Sequence, residues 1–406
     1  MTVKNEKVKY KKILVVINGG LPIPYIKGGA IETLINLFID SNEIEKKYEI
    51  TVYSNYAKGV EDVISKYNNT SFKYINTNKI SYKISYFIRG IFRRIFKLNI
   101  NSAYTARFLK SVKKDINQYD LILVENYISC VHPISKIYHG KIVSHLHNDS
   151  IINAKYHDGA QIIDDCYKIF TVSDFIKRRV NSVKKSDKVE VVYNGIDQSL
   201  FKPDKNEKSI LRKKYNLNEN DIVFLFSGRV CEEKGIMPLS IAFSKVCEKY
   251  DNCKLLIVGA SFYSSTMKTK FIDQLKSNTE NLNDKIIFSG YVSYKNMPQI
   301  YQMADILVVP SLFEEALSLT LVEGMSTQLP VIISDSGGMP EVVNKECAFV
   351  AKRDNIVDDL EKYMIKLIED KELREQMGLE ALKRSKEFSK EKYLEKFWYE
   401  INKILE

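Results

Sequence analysis

The chain has 406 residues, 45% of them hydrophobic and 28% charged, with 17 Gly and 9 Pro. This excludes collagen-like, coiled-coil and low-complexity architectures and leaves room for two or three domains of about 150 residues. The net charge of +10 is concentrated between Val63 and Lys114, where twelve basic residues occur without one acidic residue; that placement points to a local anionic partner rather than a generally basic protein.

Along the chain, the basic start MTVKNEKVKYKK leads into a seven-residue apolar run, too short for the apolar region of a signal peptide. Nowhere is there a run of about 18 to 20 apolar residues long enough to span a bilayer. Strands are expected at 13–18, 50–53, 121–124, 141–145, 169–172 and 189–193, alternating with helical patterns, as in a parallel sheet covered on both faces. A second series is expected at 222–227, 254–258, 285–288, 306–309 and 331–333, after a polar stretch at 197–206 that reads as a linker. The pattern predicts an α/β protein of two doubly wound domains, 1–200 and 201–385, facing across a cleft. The last helix, within 386–406, carries the only Trp and either stays on its own domain or crosses back to the first. Six scattered Cys without a CxxC pair, and five His away from zinc-site spacing, fit a reduced interior with no structural metal.

Candidate chemistry sits where strands end. Asn18-Gly19-Gly20 and Lys27-Gly28-Gly29-Ala30 precede a helix, where backbone N–H groups and the helix dipole suit an anion, although ordinary turns look the same. At 82–98, apolar Ile84, Phe87, Ile88, Ile91, Ile95 and Leu98 recur at helical spacing, with Lys83, Arg89, Arg93, Arg94 and Lys97 nearby. Such a helix fits an anionic membrane surface, or else a buried face with a solvated basic side. His145 and His147 share one face at the end of the fourth expected strand, as core histidines or as active-site groups. Arg229 and Lys234, just after Gly228, form either a diphosphate clamp or a solvated turn. Glu315 and Glu323, eight residues apart, can both face a cleft and accept hydrogen bonds from sugar hydroxyls.

Together these segments resemble retaining glycosyltransferases of the GT-B fold, the group known as glycosyltransferase family 4. The resemblance rests on Gly228-Arg229 with Glu233-Lys234-Gly235, Glu315 and Glu323 as an EX7E motif, and Gly337-Gly338 with Pro340-Glu341. Asn194-Gly195-Ile196-Asp197 before Phe201 and Pro203, and Ser173-Asp174-Phe175, complete it. It implies that Gly228, Arg229 and Lys234 hold the diphosphate of a nucleotide sugar, a UDP-hexose or UDP-N-acetylhexosamine. Glu323 would hold the ribose and Glu315 the donor sugar. Leu319 belongs to the same site, Gly28 or Gly29 lends backbone N–H groups, and His147 is the active-site histidine of the first domain. The sequence has no DXD motif, so Arg229 and Lys234 are expected to stand in for a metal, with no cofactor. Ala316, Ser318 and Gly324 depart from the family's usual residues at positions expected to shape the donor-sugar pocket.

The acceptor implied is a saccharide or lipid-linked saccharide at the inner face of a bacterial membrane, the enzyme being cytoplasmic or peripheral on that membrane. A same-fold epimerase or a transferase with a soluble acceptor is the alternative. A nucleic-acid-binding protein using 63–114 is a remote third, because it leaves Arg229, Lys234, Glu315 and Glu323 unexplained.

Overall fold

The computed structural model describes residues 10–18, 20–26, 29–96, 100–154, 158–260, 270–282 and 284–406. They form two units, one running to Tyr193 and completed by Tyr393–Glu406, the other Asn194–Lys392. In the first, β1 (Lys11–Ile17), β2 (Tyr48–Asn55), β3 (Thr70–Ile75), β4 (Leu121–Glu125), β5 (Lys141–Leu146), β6 (Lys168–Thr171) and β7 (Val189–Val191) form a parallel sheet in the order β3-β2-β1-β4-β5-β6-β7. In the second, β8 (Ile222–Ser227), β9 (Cys253–Val258), β10 (Ile286–Gly290), β11 (Ile306–Val309), β12 (Val331–Ser334) and β13 (Ala348–Ala351) pair in parallel as β10-β9-β8-β11-β12-β13.

Helices on both faces force these strands to be apolar throughout; every residue of β4 and of β11 is buried. In each sheet the first strand lies inside, and the order in which strands are added reverses between it and the fourth. Loops at the carboxyl ends of β1 and β4, and of β8 and β11, therefore diverge and leave a crevice beside the strand ends.

The expected doubly wound pattern holds, with two additional strands. β3, TSFKYI, is buried only at its ends, with Ser71 and Lys73 exposed and Phe72 and Tyr74 half-buried, and β13 has only four residues, two of them half-buried. Both are edge strands, which lack the unbroken apolar run of their central neighbours. Residues 197–206 are no loose linker. Lys390 pairs with Asp197 at 2.7 Å, the Gln198 amide donates to the Ser385 carbonyl at 2.7 Å, and Phe201 is fully buried beneath Ser326, whose hydroxyl donates to the Phe201 carbonyl.

The helix Lys390–Leu405 completes the first unit's core. Phe397 stacks on Phe38 at 4.7 Å between ring centres and Trp398 stacks on Tyr48 at 5.4 Å, while Ile401, Ile404 and Leu405 join Ile13, Val15, Leu34 and Val52. All six cysteines are free. Among the described residues no helix is long and apolar enough to cross a membrane.

Candidate active site

In the second unit the loop after β8 folds onto the loop after β11. Gly235 makes this fit possible: its φ of 70° is left-handed, and a Cβ there would overlap the Pro310 carbonyl oxygen. Leu312 N–H then donates to the Glu233 carbonyl at 2.8 Å. The result is a nearly closed ion pair. Lys234 Nζ lies 2.5 Å from Glu315 Oε1, which also accepts from Ser311 Oγ at 2.6 Å, and Lys234 sits 4.8 Å from the centre of the Phe313 ring. The two side chains are 21% and 10% exposed, so water screens this pair far less than a surface bridge.

The loop after β12 braces Glu315 from below. Glu315 N–H donates to Ser336 Oγ at 3.0 Å and Gly338 N–H to the Glu315 carbonyl at 2.7 Å; a side chain at Gly337, φ 54°, would collide with that backbone. Arg353 adds a further tie, reaching Glu314 at 3.0 Å, Asp335 at 3.3 Å and the Leu312 carbonyl at 3.3 Å.

Glu323 stands on the helix Leu319–Ser326, whose first turn is capped by Ser318 Oγ. Tyr301 Oη donates to Glu323 Oε2 at 2.7 Å. Burial pushes the Glu323 pKa up to about 7, against the opposing hydrogen bonds from Tyr301 and Tyr294. Tyr301 is itself buried, its ring edge against Phe201 at 5.7 Å. Leu319 opens the same helix, half-buried. Two of the unusual residues have structural work: Ser318 is the cap, and Gly324 packs against the Leu307 side chain of β11. The expectation that Gly324 shapes a sugar pocket is thus corrected, because it faces the core.

Not every expected residue joins this cluster. Arg229 is 40% exposed and lies 3.5 Å from Glu233, its neighbour one turn on; Gly228 N–H donates to the Val258 carbonyl at 3.0 Å. In the first unit Gly29 precedes the helix Ala30–Glu45 with φ 113°, and the Glu32 carboxyl lies against it. Gly28 and Lys97 lie outside the described residues.

His147 follows β5 and meets a carboxylate that the sequence reading missed. Glu125, the last residue of β4, faces His147 Nε2 at 2.9 Å and His145 Nδ1 at 3.2 Å. Among the described residues these three form the one group of His, Cys and acidic side chains that could gather round a metal, their ligand atoms lying within 4.8 Å of one another. The available signal was a single acid closing an otherwise apolar central strand, LILVE. Tyr301, Ser311 and Arg353 gave no comparable signal.

The helix Ile80–Arg94 presents Ile80, Ile84, Tyr86, Phe87, Ile88 and Phe92 to solvent, with Lys83 and Arg94 also exposed. Arg93 lies on the same helix, and Arg89 donates to the Asn101 carbonyl at 3.1 Å. A shallow cavity of about 580 Å³ runs beside Ile84, Ile88, Arg89, Phe92 and Ile100. The buried-face reading of this helix fails among the described residues: Ile84, Phe87, Ile88 and Ile95 are exposed and Ile91 is half-buried, while Leu98 lies outside them.

Residues 207–384 match the family described as Glycosyl transferases group 1. The chain is 26% identical over 385 residues to the protein YtcC of Bacillus subtilis (strain 168), spanning 92% of this chain and 87% of that one. It is 27% identical over 273 residues to a lipopolysaccharide 1,2-N-acetylglucosaminetransferase of Salmonella typhimurium, spanning 64% and 68%. Among solved structures, Anabaena Alr3699/HepE in complex with UDP-glucose superposes with a TM-score of 0.73 over 96% of this chain and 99% of that chain, at 16% identity.

Proposed function

Because the chain is a glycosyltransferase of the GT-B fold, with a group 1 glycosyl transferase domain in its second unit, we propose that it transfers a hexose or N-acetylhexosamine from UDP, with retention at the anomeric carbon. The acceptor is a saccharide or lipid-linked saccharide in bacterial surface glycoconjugate synthesis. The observation that carries this reading is the enclosed Lys234–Glu315 pair at the crevice of the second sheet, followed at once by the helix bearing Glu323.

The reaction breaks the bond between the anomeric carbon and the diphosphate oxygen, and that oxygen keeps the electron pair. The acceptor hydroxyl bonds to the anomeric carbon on the same face and gives its proton to the departing phosphate. Such a step needs cations fixed where negative charge grows, more than it needs a protein nucleophile. We assign that task to Lys234 and Arg229 in place of a divalent metal, with the backbone at Gly228 beside the phosphates. Lys234 already balances Glu315, so an arriving diphosphate shares the ammonium with that carboxylate. Glu315 is then left to accept from a donor-sugar hydroxyl, Glu323 accepts from the ribose diol beside Leu319, and His147 is the active-site group of the first unit.

The exposed apolar and basic side chains of the helix Ile80–Arg94 support a peripheral position on the anionic inner face of the cell membrane. Thermal unfolding against a panel of nucleoside diphosphates and nucleotide sugars tests the donor assignment. UDP and one UDP-sugar are expected to raise Tm; equal shifts with every nucleotide, or none, overturn it.

A further inference from the structure

Glu125 is fully buried, and two imidazoles converge on it. The register explains the convergence: Glu125 of β4 pairs with His145 of β5, and His147 lies two residues on, with its backbone N–H held by Asn126 Oδ1 at 3.1 Å. Asn126 in turn donates its own N–H to the His145 carbonyl at 2.8 Å from a left-handed backbone, φ 46°. Both rings are largely enclosed: His145 is sealed between Phe170 and Phe397, at 6.0 and 6.4 Å, with its side chain 0% exposed, and the His147 side chain is 5% exposed.

An ionised carboxylate only accepts hydrogen bonds, so each ring nitrogen facing it must carry the proton. His147 Nε2 is therefore the N–H, and Nδ1 keeps its lone pair. That Nδ1 is buried and has no partner. We propose that Glu125 is a positioning residue, which fixes the Nε2–H tautomer of His147 and presents Nδ1 as a hydrogen-bond acceptor to a hydroxyl group of the sugar substrate. The proposal rests on the assignment of His147 to the active site. Burial favours a neutral Glu125, yet the two facing imidazoles hold its pKa down at about 2. Burial, aided by His145, lowers that of His147 to about 4 despite Glu125. A neutral imidazole on an ionised carboxylate is the state these shifts favour at neutral pH.

Long-range 1H–15N correlation spectra of protein labelled at histidine read the tautomer directly. The expected result is a neutral Nε2–H pattern for His147 from pH 6 to 8. Glu125→Gln is expected to disturb that pattern and to lower kcat on the order of tenfold to a hundredfold with little change in donor KM, and Glu125→Asp to restore part of both. An Nδ1–H or imidazolium pattern in the unmodified protein overturns the proposal, and needs no variant to fold. Added Zn2+ that shifts both imidazoles and raises Tm also overturns it, since the metal then takes the place of the proton. The expected tautomer with undiminished turnover in both Glu125→Gln and His147→Asn removes His147 from the active site, and with it the substrate part of the proposal, while leaving the UDP assignment untouched.

Discussion

At the scale of single residues, the buried acid on the helix Leu319–Ser326 carries a pH signature. Burial pushes the Glu323 pKa up to about 7, so ligands that need its carboxylate are expected to lose affinity as pH falls through that value. One unit below the pKa about a tenth remains ionised, so uridine, which has no phosphate to titrate, is expected to bind roughly tenfold more weakly at pH 6 than at pH 8. Titration calorimetry across that range checks this, with Glu323→Gln giving a flat profile. Tyr301→Phe removes a hydrogen bond that favours the carboxylate, so the same fall should begin at higher pH. The neighbouring pair behaves differently. Lys234→Ala strands a nearly buried Glu315, an expected loss of about 1 to 3 kcal/mol along with most turnover. Adding Glu315→Ala should return much of the stability and none of the activity, a contrast that denaturation and initial rates together resolve.

At the scale of elements, the helix Ile80–Arg94 keeps large apolar side chains in water. With each basic residue near an anionic surface worth about 1 kcal/mol, charge reversal at Lys83 and Arg94 should weaken binding to phosphatidylglycerol vesicles by at least about 2 kcal/mol, roughly thirtyfold. Vesicle sedimentation measures it, and donor hydrolysis in solution should be unchanged. Eleven of the thirteen strands were legible in the sequence, the central ones because parallel strands there must be apolar along their length; of the four edge strands, β7 and β10 were read and β3 and β13, with weaker apolar runs, were not. The same asymmetry governs the site. Lys234, Glu315 and Glu323 lie in loops and a helix start that follow strands, and sequence order exposes them. Glu125 and Tyr301 owe their importance to partners 20 and 22 residues away, found only through sheet register and packing. Residues 197–206 misled because polar composition hid a packed Phe201 and a run of side-chain ties.

At the scale of the whole molecule, the first unit is discontinuous, built from the two ends of the described chain. Phe397 and Trp398 lie in its core, so the single Trp reports on that unit alone. Phe397→Ala, which deletes the ring stacked on Phe38, should cost about 3 to 5 kcal/mol and move the fluorescence-detected unfolding midpoint to lower denaturant. The UDP protection proposed for the second unit should survive in the same variant at temperatures where that unit remains folded. Ribosomes build from the amino end, and domains ordinarily fold as they emerge. Here the first sheet emerges early with the surface around Phe38 and Tyr48 uncovered, and waits through the synthesis of the entire second unit for the helix that closes it. Until that helix arrives the first sheet keeps apolar surface open to water, and a premature stop codon late in the message should spoil the half of the enzyme that was made first.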